Sequence, residues 1–380
     1  MKKLNVIAAG LGWSVLERNG VKRIAGLEFK PGESVFPAVT CVAQASMRTG
    51  LNPQEHGMIS NGVWFEDLKK PMFWEQSANL VKGKRIWEDR RASGEKVGLF
   101  FFQQSLGENV DAIVSPAPIH KHGGGIVMNC YVKPYELSER LHKRLGRFPL
   151  HRYWGPFASP KVGRACIDWF EALINEYDVD EAYLYLPTLD YAAQKFGPGS
   201  KADNAAFKEL CFQLERLVGI CEGRGAQLSV TGDYDITPVT LAPVEPNVIL
   251  RREGLFRTRS VSNRVYPDFY SSGAFAVCDH EICFLVGGRR GEARRILLET
   301  GEFELSGETG GNYDILLARK GSWCSYRWWS SPSEAPDYAS HVDIHNKPGY
   351  DPAELFFFGG KTVKGTHGRK SIVAKTEEQG

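Results

Sequence analysis

The feature that most constrains the fold is a regular alternation between apolar, strand-like runs and amphipathic helical patterns. Typical strand-like runs are "LNVIAAGL", "KVGLFFFQQ", "EAYLYLPTLD" and "GAQLSVTGDYD". Residues 160–178 and 204–225 carry apolar residues at helical spacing, and the second pattern ends in a Gly stop signal. Strands that alternate with helices indicate βαβ units, so the sequence predicts an α/β fold whose mainly parallel sheet is flanked by helices.

The sequence changes character near residue 245. From there on, "GAFAVCDHEICFLVG" predicts a strand or hairpin, and "GEARRILLETGEFEL" predicts a helix followed by a strand. We therefore predict that residues 245–312 form a small inserted α+β subdomain beside the functional pocket, between core segments 1–244 and 313–380. The segment that begins at Tyr313 is expected to complete the main sheet. The basic entry to the subdomain either attracts an anionic substrate or is an ordinary solvated face; it consists of Arg251, Arg252, Arg257 and Arg259.

Composition excludes several classes of protein. A chain of 380 residues with 42% hydrophobic residues can bury a large core, which excludes global disorder. The net charge of +2 gives no electrostatic reason to bind a nucleic-acid polymer or an anionic membrane surface. No apolar run reaches the ~18 residues of a membrane span. The short apolar run near the N-terminus is interpreted as a first buried strand rather than as a signal peptide.

The eight cysteines are scattered along the chain without a C-x-x-C pair, and several lie in apolar surroundings such as "FAVCDHEICFLV". Dispersed, buried thiols are typical of a reducing compartment rather than of a disulfide framework or a zinc ribbon. We therefore predict a cytoplasmic protein.

Polar side chains at the ends of the predicted strands are the candidates for a functional site, because ligands of open α/β sheets bind beyond the carboxyl ends of the strands. Thr40 and Asn61 lie in the first such region, Asp190 follows "LYLPTL", and Asp233 follows "LSVTG". Asp190 and Gln194 share a face if a helical turn follows the strand. Each candidate also has a structural interpretation, with Thr40 or Asp190 as a helix N-cap and Asp233 as a turn residue.

Carboxylates and histidines also gather near the C-terminus. Asp343 and His345 are two residues apart and lie on one side of an extended segment, and His367 lies in the loop "GTHG". His280, within an apolar strand, is assigned a structural role. Carboxylate and imidazole groups are ligands of zinc and of harder transition metals, so we predict a divalent-metal site with zinc as the expected ion. The candidate ligands are Asp190, Asp233, Asp343, His345 and His367.

A metal next to Thr40 would give this residue a chemical role. At the start of a helix, its hydroxyl lies near the positive end of the helix dipole and beside backbone N–H groups that have no partner within the helix. A nearby metal would lower the pKa of the hydroxyl and make it a nucleophile toward phosphorus. The alternative, an N-cap for the helix "CVAQASMRTG", stays open at this point.

The segment "FPAVTCVAQASMRTGLNPQEHGMISNGVWF" resembles the nucleophile region of the type I phosphodiesterase/nucleotide pyrophosphatase branch of the alkaline phosphatase superfamily. The order Thr-Cys, Q-A-S, T-G, P-x-E-H-G and N-G carries this resemblance. It continues in order with "FWEQSANLVKGKRIWE", "YLPTLDYAAQKFGP", "YDITPV", "DIHNKPGYDPAELFF" and "GTHG", and so covers nearly the whole chain. The resemblance implies an alkaline-phosphatase-like fold, a Thr nucleophile that forms a phospho-enzyme, and two divalent metals, usually zinc.

The resemblance assigns roles by position. They are the nucleophile Thr40, the oxygen-binding Asn61, the first-metal ligands Asp190 and His367 (or His345), and the second-metal carboxylate Asp233. The sequence departs from the family pattern at Ala8 and Ala9, where an Asp ligand is expected, and at Gln194 and Tyr234, where His ligands are expected. It therefore keeps ligands for one metal site and loses most ligands of the second.

The leading interpretation is a metal-dependent hydrolase (EC 3.1 class) of a small-molecule phosphoester or phosphodiester. Thr40 would attack phosphorus in line, and metal-bound water would then hydrolyse the phospho-threonine. The alternative is a non-catalytic, phosphoester-binding pseudoenzyme with a degenerate second metal site, which Ala8 and Ala9 favour. The sequence defines neither the substrate nor the oligomeric state.

Overall fold

The computed structural model describes residues 1–123, 125–154, 157–310, 312–331, 333–334 and 363–376. Among these residues the strands are, in chain order, β1 (Lys3–Ala8), β2 (Arg23–Ile24), β3 (Leu27–Glu33), β4 (Gly62–Phe65), β5 (Lys70–Phe73), β6 (Val97–Phe100), β7 (Ala112–Pro116), β8 (Ile119–His120), β9 (Ile126–Val127), β10 (Cys130–Lys133), β11 (Glu181–Leu186), β12 (Gln227–Gly232), β13 (Thr237–Pro238), β14 (Thr258–Val261), β15 (Arg264–Pro267), β16 (Phe275–Asp279), β17 (Ile282–Val286), β18 (Phe303–Gly310), β19 (Tyr313–Ala318), β20 (Gly365–Thr366) and β21 (Ile372–Thr376). The α-helices are α1 (Trp13–Arg18), α2 (Thr40–Thr49), α3 (Pro53–His56), α4 (Glu88–Ala92), α5 (Glu136–Leu145), α6 (Val162–Glu176), α7 (Asp190–Phe196), α8 (Lys201–Glu222), α9 (Pro246–Arg252) and α10 (Arg290–Glu299).

A nine-stranded sheet forms the centre of the fold, in the order β10-β7-β6-β11-β1-β12-β21-β3-β2. Strands β7, β6, β11, β1 and β12 run parallel, whereas the strands at both edges are antiparallel. Strand β11 is buried along its whole length, as expected for a parallel strand covered on both faces. Helices α6 and α8 pack against β11 and β12. The predicted α/β fold with a mainly parallel sheet and flanking helices is confirmed.

The register of the central strands brings three strand ends to one place. Strand β1 pairs with β11 on one side and with β12 on the other, so that Ala8 lies beside Leu186 and Gly232. Asp190 follows β11 as the first residue of α7, and Asp233 directly follows β12. The two carboxylates therefore flank the end of β1 at the carboxyl edge of the sheet, where the sequence predicts the site.

Strands β16, β17, β19 and β18 form a second, antiparallel sheet with its own apolar core, and α9 and α10 pack against it. The expectation that the segment from Tyr313 completes the main sheet is wrong, because Tyr313–Ala318 pairs with β17 and β18. Its apolar side chains are buried in the core of the second sheet. In the main sheet it is β21 that pairs between β12 and β3. The division of the chain into a core and an inserted subdomain stays a prediction.

No helix in the described ranges is long and apolar enough to cross a membrane. Seven of the eight cysteines are buried, and Cys211 is half-buried. The cytoplasmic location inferred from these thiols stays a prediction.

Helix α2, which begins at Thr40, is tied to the sheet through its last turn. It ends at Gly50, whose φ of +69° lies in the left-handed region that glycine adopts without strain. Two residues before Gly50, the buried guanidinium of Arg48 donates to the carbonyl oxygen of Gln103 and to that of Gln104, the latter over 2.7 Å. It also lies 3.6 Å from the Glu108 carboxylate. Because these groups follow β6 in the sequence, Arg48 fixes the direction of α2 relative to the sheet.

Replacing Arg48 by Ala is expected to lower the free energy of unfolding by about 3 kcal/mol, because buried carbonyl groups and a buried carboxylate lose a donor. Urea denaturation followed by circular dichroism measures this change. Arg23→Ala is the control, because Arg23 is largely exposed and its ion pair with Glu28 is a surface pair that contributes little. Equal losses in both variants would contradict the anchoring role of Arg48.

Candidate active site

Thr40 is the first residue of α2 and is 5% exposed, so its hydroxyl lies at the N-terminal end of the helix. The N–H groups of the first helical turn have no acceptor within the helix. One of them, the N–H of Cys41, donates to the Asn61 side-chain oxygen over 3.0 Å. Asn61 is therefore held against the end of the helix that carries Thr40, as the sequence predicts.

A chain of hydrogen bonds runs from Thr40 into the sheet edge. The Thr40 hydroxyl lies 3.3 Å from the hydroxyl of Tyr234, which donates to Oδ1 of Asp190 over 2.9 Å. The Gln194 side-chain amide donates to the same oxygen from the next turn of α7. Thr40 and Asp190 are thus linked through a phenol, at a position where the sequence departs from the family pattern.

The two predicted carboxylates are buried side by side. Burial raises the pKa of Asp190, although His280, Tyr234 and Gln194 oppose the shift. Burial raises the pKa of Asp233 well above its usual value, and the neighbouring charge of Asp190 adds to this increase. Asp233 Oδ1 accepts from the backbone N–H groups of Gly10 and Tyr234, both over 2.9 Å. Its Oδ2 atom is buried without a hydrogen-bond partner among the described residues.

His367 is brought into this cluster as the sequence predicts. Its ring lies between two others, 3.7 Å from the Tyr234 ring at an interplanar angle of 3° and 3.8 Å from the His280 ring. Nδ1 lies 2.8 Å from the Ala38 carbonyl oxygen and therefore carries the proton. Burial, with His280 nearby, lowers the pKa of His367 well below its usual value. The imidazole is accordingly neutral near pH 7.

Asp279, at the end of β16, is the site residue that sequence reasoning missed. Its fully buried carboxylate accepts from the Ser60 hydroxyl and the Asn61 N–H, each over 2.7 Å, and from the Asn61 side-chain amide over 3.2 Å. His280, to which we assigned only a structural role, lies with Nδ1 2.7 Å from the same carboxylate. Burial raises the pKa of Asp279, but His280 and the other donors hold that pKa below its usual value. The available sequence signal was a carboxylate inside an apolar hairpin.

The hairpin that carries Asp279 also contacts the backbone around His367. The Glu281 N–H donates to the His367 carbonyl oxygen over 2.9 Å. The Ala38 N–H donates to the Gly368 carbonyl oxygen over the same distance. The second sheet therefore reaches the site through one hairpin tip.

In the basic segment that begins this part of the chain, Arg251 forms an ion pair with Glu334, and Arg252 forms one with Glu253.

The predicted metal ligands divide into two groups. Asp343 and His345 lie outside the described residues. Of the others, Asp190, Asp233 and His367 lie within the cluster around Tyr234. Within the ranges that the structure describes, no three His, Cys, Asp or Glu side chains are arranged to hold a metal ion.

The described side chains do not fit the two-metal centre that the resemblance implies. Ala8 and Ala9 are buried at the end of β1, where they offer no donor. The amide of Gln194 and the phenol of Tyr234 donate to Asp190, whereas the resemblance places an imidazole metal ligand at each of these two positions.

A mainly parallel sheet, a Thr hydroxyl at a helix N-terminus and carboxylates beyond neighbouring strands define an alkaline-phosphatase-like α/β hydrolase. The sequence profile of the type I phosphodiesterase / nucleotide pyrophosphatase family matches residues 7–286, and the chain belongs to this family. The family resemblance and the hydrolase class predicted from the sequence are thereby confirmed. A search of the curated proteins found no match.

Solved structures share the fold. Phosphonoacetate hydrolase from Sinorhizobium meliloti 1021, in complex with phosphonoformate, has a TM-score of 0.58 and 15% identity, over 99% of this chain and 89% of that one. Murine ectonucleotide pyrophosphatase / phosphodiesterase 5 has a TM-score of 0.55 and 14% identity, over 99% of this chain and 88% of that one. The human ectonucleotide pyrophosphatase / phosphodiesterase 5 has a TM-score of 0.53 and 14% identity, over 98% and 87%. At these identities the likeness concerns the fold alone.

Asp279→Asn is expected to lower the free energy of unfolding by about 3 kcal/mol, because the amide places a donor opposite groups that are themselves donors. The pKa of Asp279 is depressed, so its stabilisation is present above the unfolded-state pKa of about 3.9 and is lost as the pH falls through the folded value. The difference in the free energy of unfolding between wild type and variant should therefore be constant above about pH 5 and should decrease below about pH 4.

Urea denaturation across this pH range measures the effect of Asp279→Asn. Asp268→Asn, at a carboxylate on the surface of the same part of the chain, is the matched control and should leave the denaturation midpoint nearly unchanged. If Asp279→Asn unfolds at the wild-type midpoint at pH 7, the carboxylate does not hold the Ser60–Asn61 segment.

Proposed function

We propose that the chain hydrolyses a small-molecule phosphoester or phosphodiester by attack of Thr40 on phosphorus. The observation that carries the proposal is the position of the Thr40 hydroxyl. It lies at a helix N-terminus, with the Tyr234–Asp190 pair on one side and Asn61 on the other. A helix N-terminus with outward N–H groups is a favourable place for a phosphoryl group.

In the first step, Thr40 Oγ1 forms a bond to phosphorus as the bond from phosphorus to the ester oxygen breaks. The Thr40 proton passes to the Tyr234 oxygen while Tyr234 passes its own proton to Asp190, a route that the hydrogen-bond chain offers. The leaving group departs with the ester oxygen and takes up a proton from water. In the second step, water attacks phosphorus of the phospho-threonine as the bond from phosphorus to Thr40 Oγ1 breaks, and phosphate or a phosphate monoester is released. Thr40 Oγ1 takes its proton back from Asp190 through Tyr234, and the proton of the attacking water passes to solvent.

Asn61 and the first turn of α2 are suited to hold the phosphoryl oxygens. The Asn61 amide is oriented by Asp279 and by the Cys41 N–H, which leaves one of its two N–H bonds available to a ligand. Donors that are fixed before the substrate binds need no reorganisation when charge develops on the phosphoryl oxygens.

This mechanism takes no step through a metal. The sequence predicts a divalent ion, with zinc expected, and that requirement stays a prediction for this chain until metal analysis decides it.

Thr40→Ala is expected to lower turnover of an aryl phosphodiester or phosphomonoester by several orders of magnitude, because the covalent nucleophile is lost. The stability cost should be about 1 kcal/mol or less, because Thr40 provides no side-chain cap. Asn61→Ala should lower turnover by about a hundredfold or more, as for one oxyanion donor. Quenched single-turnover reactions analysed by intact-protein mass spectrometry should show one phosphoryl group on wild type and none on Thr40→Ala.

The matched control is Thr49→Ala, which removes a buried hydroxyl that bonds to the Ala45 carbonyl at the other end of the same helix. This control should keep wild-type turnover. Wild-type rates in a folded Thr40→Ala protein would refute the phospho-threonine mechanism.

A further inference from the structure

Tyr234 fills the space between the nucleophile and the carboxylate that the family resemblance assigns to a metal. Its hydroxyl lies 3.3 Å from the Thr40 hydroxyl and donates to Asp190 over 2.9 Å. An ion that touched both residues would need zinc–oxygen distances of about 2.0–2.2 Å, and the phenol oxygen already lies in hydrogen-bond contact with both.

The Tyr234 side chain is fixed in this position. It is fully buried, it packs with Ala38, Ala193 and Ile236, and its ring stacks flat on His367. Its backbone N–H donates to Asp233. Movement of the phenol away from Thr40 would break the stack and leave a cavity in a close-packed region.

The neighbouring side chains that the structure describes also contact groups of the protein. Gln194 offers Asp190 an N–H donor rather than a metal-binding nitrogen. His367 lies between two rings, with Nδ1 on the Ala38 carbonyl. Asp233 Oδ2 is the one carboxylate oxygen of the cluster recorded as buried without a partner among the described residues. A zinc site takes three or four ligands, and among the described residues no three His, Cys, Asp or Glu side chains are arranged to hold a metal ion.

We propose that Tyr234 takes the place of a metal beside Thr40, so that the reaction proceeds without a catalytic divalent ion. This inference rests on the proposed function, because it concerns the same nucleophile. In this site the Tyr234 hydroxyl orients Thr40 Oγ1 toward phosphorus and accepts its proton, the task that a metal performs by lowering the hydroxyl pKa. Tyr234 touches the reacting oxygen and is therefore a catalytic residue of the proposed reaction.

The first test uses the wild-type chain. After dialysis against a chelator, its turnover should be the same without metal and with added zinc or manganese. Calorimetric titration with zinc should show no binding that Asp190→Asn abolishes. Loss of turnover on chelation with recovery on added zinc, or zinc binding that Asp190→Asn removes, would overturn the proposal.

The second test changes Tyr234. Tyr234→Phe keeps the stacked ring and removes the hydroxyl, so kcat should fall by about a hundredfold or more, KM should change little, and zinc should not restore the rate. Tyr153→Phe is the matched control, because it removes another buried phenol, whose hydroxyl donates to the Phe101 carbonyl oxygen. Wild-type kcat in Tyr234→Phe would overturn the catalytic role.

The double variant Tyr234→His with Gln194→His tests the same idea without an activity measurement. It returns two imidazoles to the cluster of Asp190 and His367, so zinc should now bind in the calorimeter and raise the melting temperature. Equal zinc binding by wild type and the double variant, sensitive to Asp190→Asn, would overturn the proposal.

Failure of this inference and failure of the proposed function give different results. If the enzyme requires zinc but still forms phospho-threonine on Thr40, the proposed function is supported and the proposal for Tyr234 is refuted. If the chain is active and Thr40→Ala has the wild-type rate, both the phospho-threonine mechanism and the proposal for Tyr234 are refuted. Where turnover is not observed at all, the zinc titrations of wild type and double variant still decide whether the site takes a metal.

Discussion

The side-by-side ends of β11, β1 and β12 are the constraint on which the site depends. Parallel register brings Asp190 and Asp233 to one edge of the sheet, on either side of the end of β1. At that end β1 supplies only Ala8, Ala9 and the N–H of Gly10, which donates to Asp233. Because these residues are small, Asp233 turns back onto the backbone, and the neighbouring Tyr234 extends between Asp190 and Thr40.

A second dependence rests on one buried carboxylate. Asp279 belongs to the second sheet, yet its partners include Ser60 and Asn61, which precede β4. A buried charge is tolerable only when its acceptor positions are filled, and at Asp279 side-chain and backbone donors from two parts of the chain fill them. The second sheet therefore orients the Asn61 amide, which we propose to hold a phosphoryl oxygen.

Two residues of the candidate site, Asp190 and Asp233, can be selected from the sequence because they follow strands of a parallel sheet. Thr40, Asn61 and His367 were selected by motif order, and their roles stay predictions. Asp279 escaped because its partner Asn61 is 218 residues away and nothing local marks the contact. Similarly, the apolar run of β19 suits either sheet, and only tertiary pairing decides between them. At Tyr234 the sequence showed that an imidazole was missing, but not that the phenol would fill the gap with hydrogen bonds of its own.

The proposed exchange of a metal for hydrogen-bond donors would change which substrates the site can stabilise. A divalent ion brings full positive charge, whereas a helix N-terminus carries roughly half an elementary charge. One oxyanion donor contributes about 10²–10³ in rate. A phosphodiester carries a single negative charge near pH 7, whereas a monoester, with a second pKa of about 6, approaches two. Donors such as Asn61 and the first turn of α2, next to the buried Asp190, therefore have less charge to offset when the substrate is a diester.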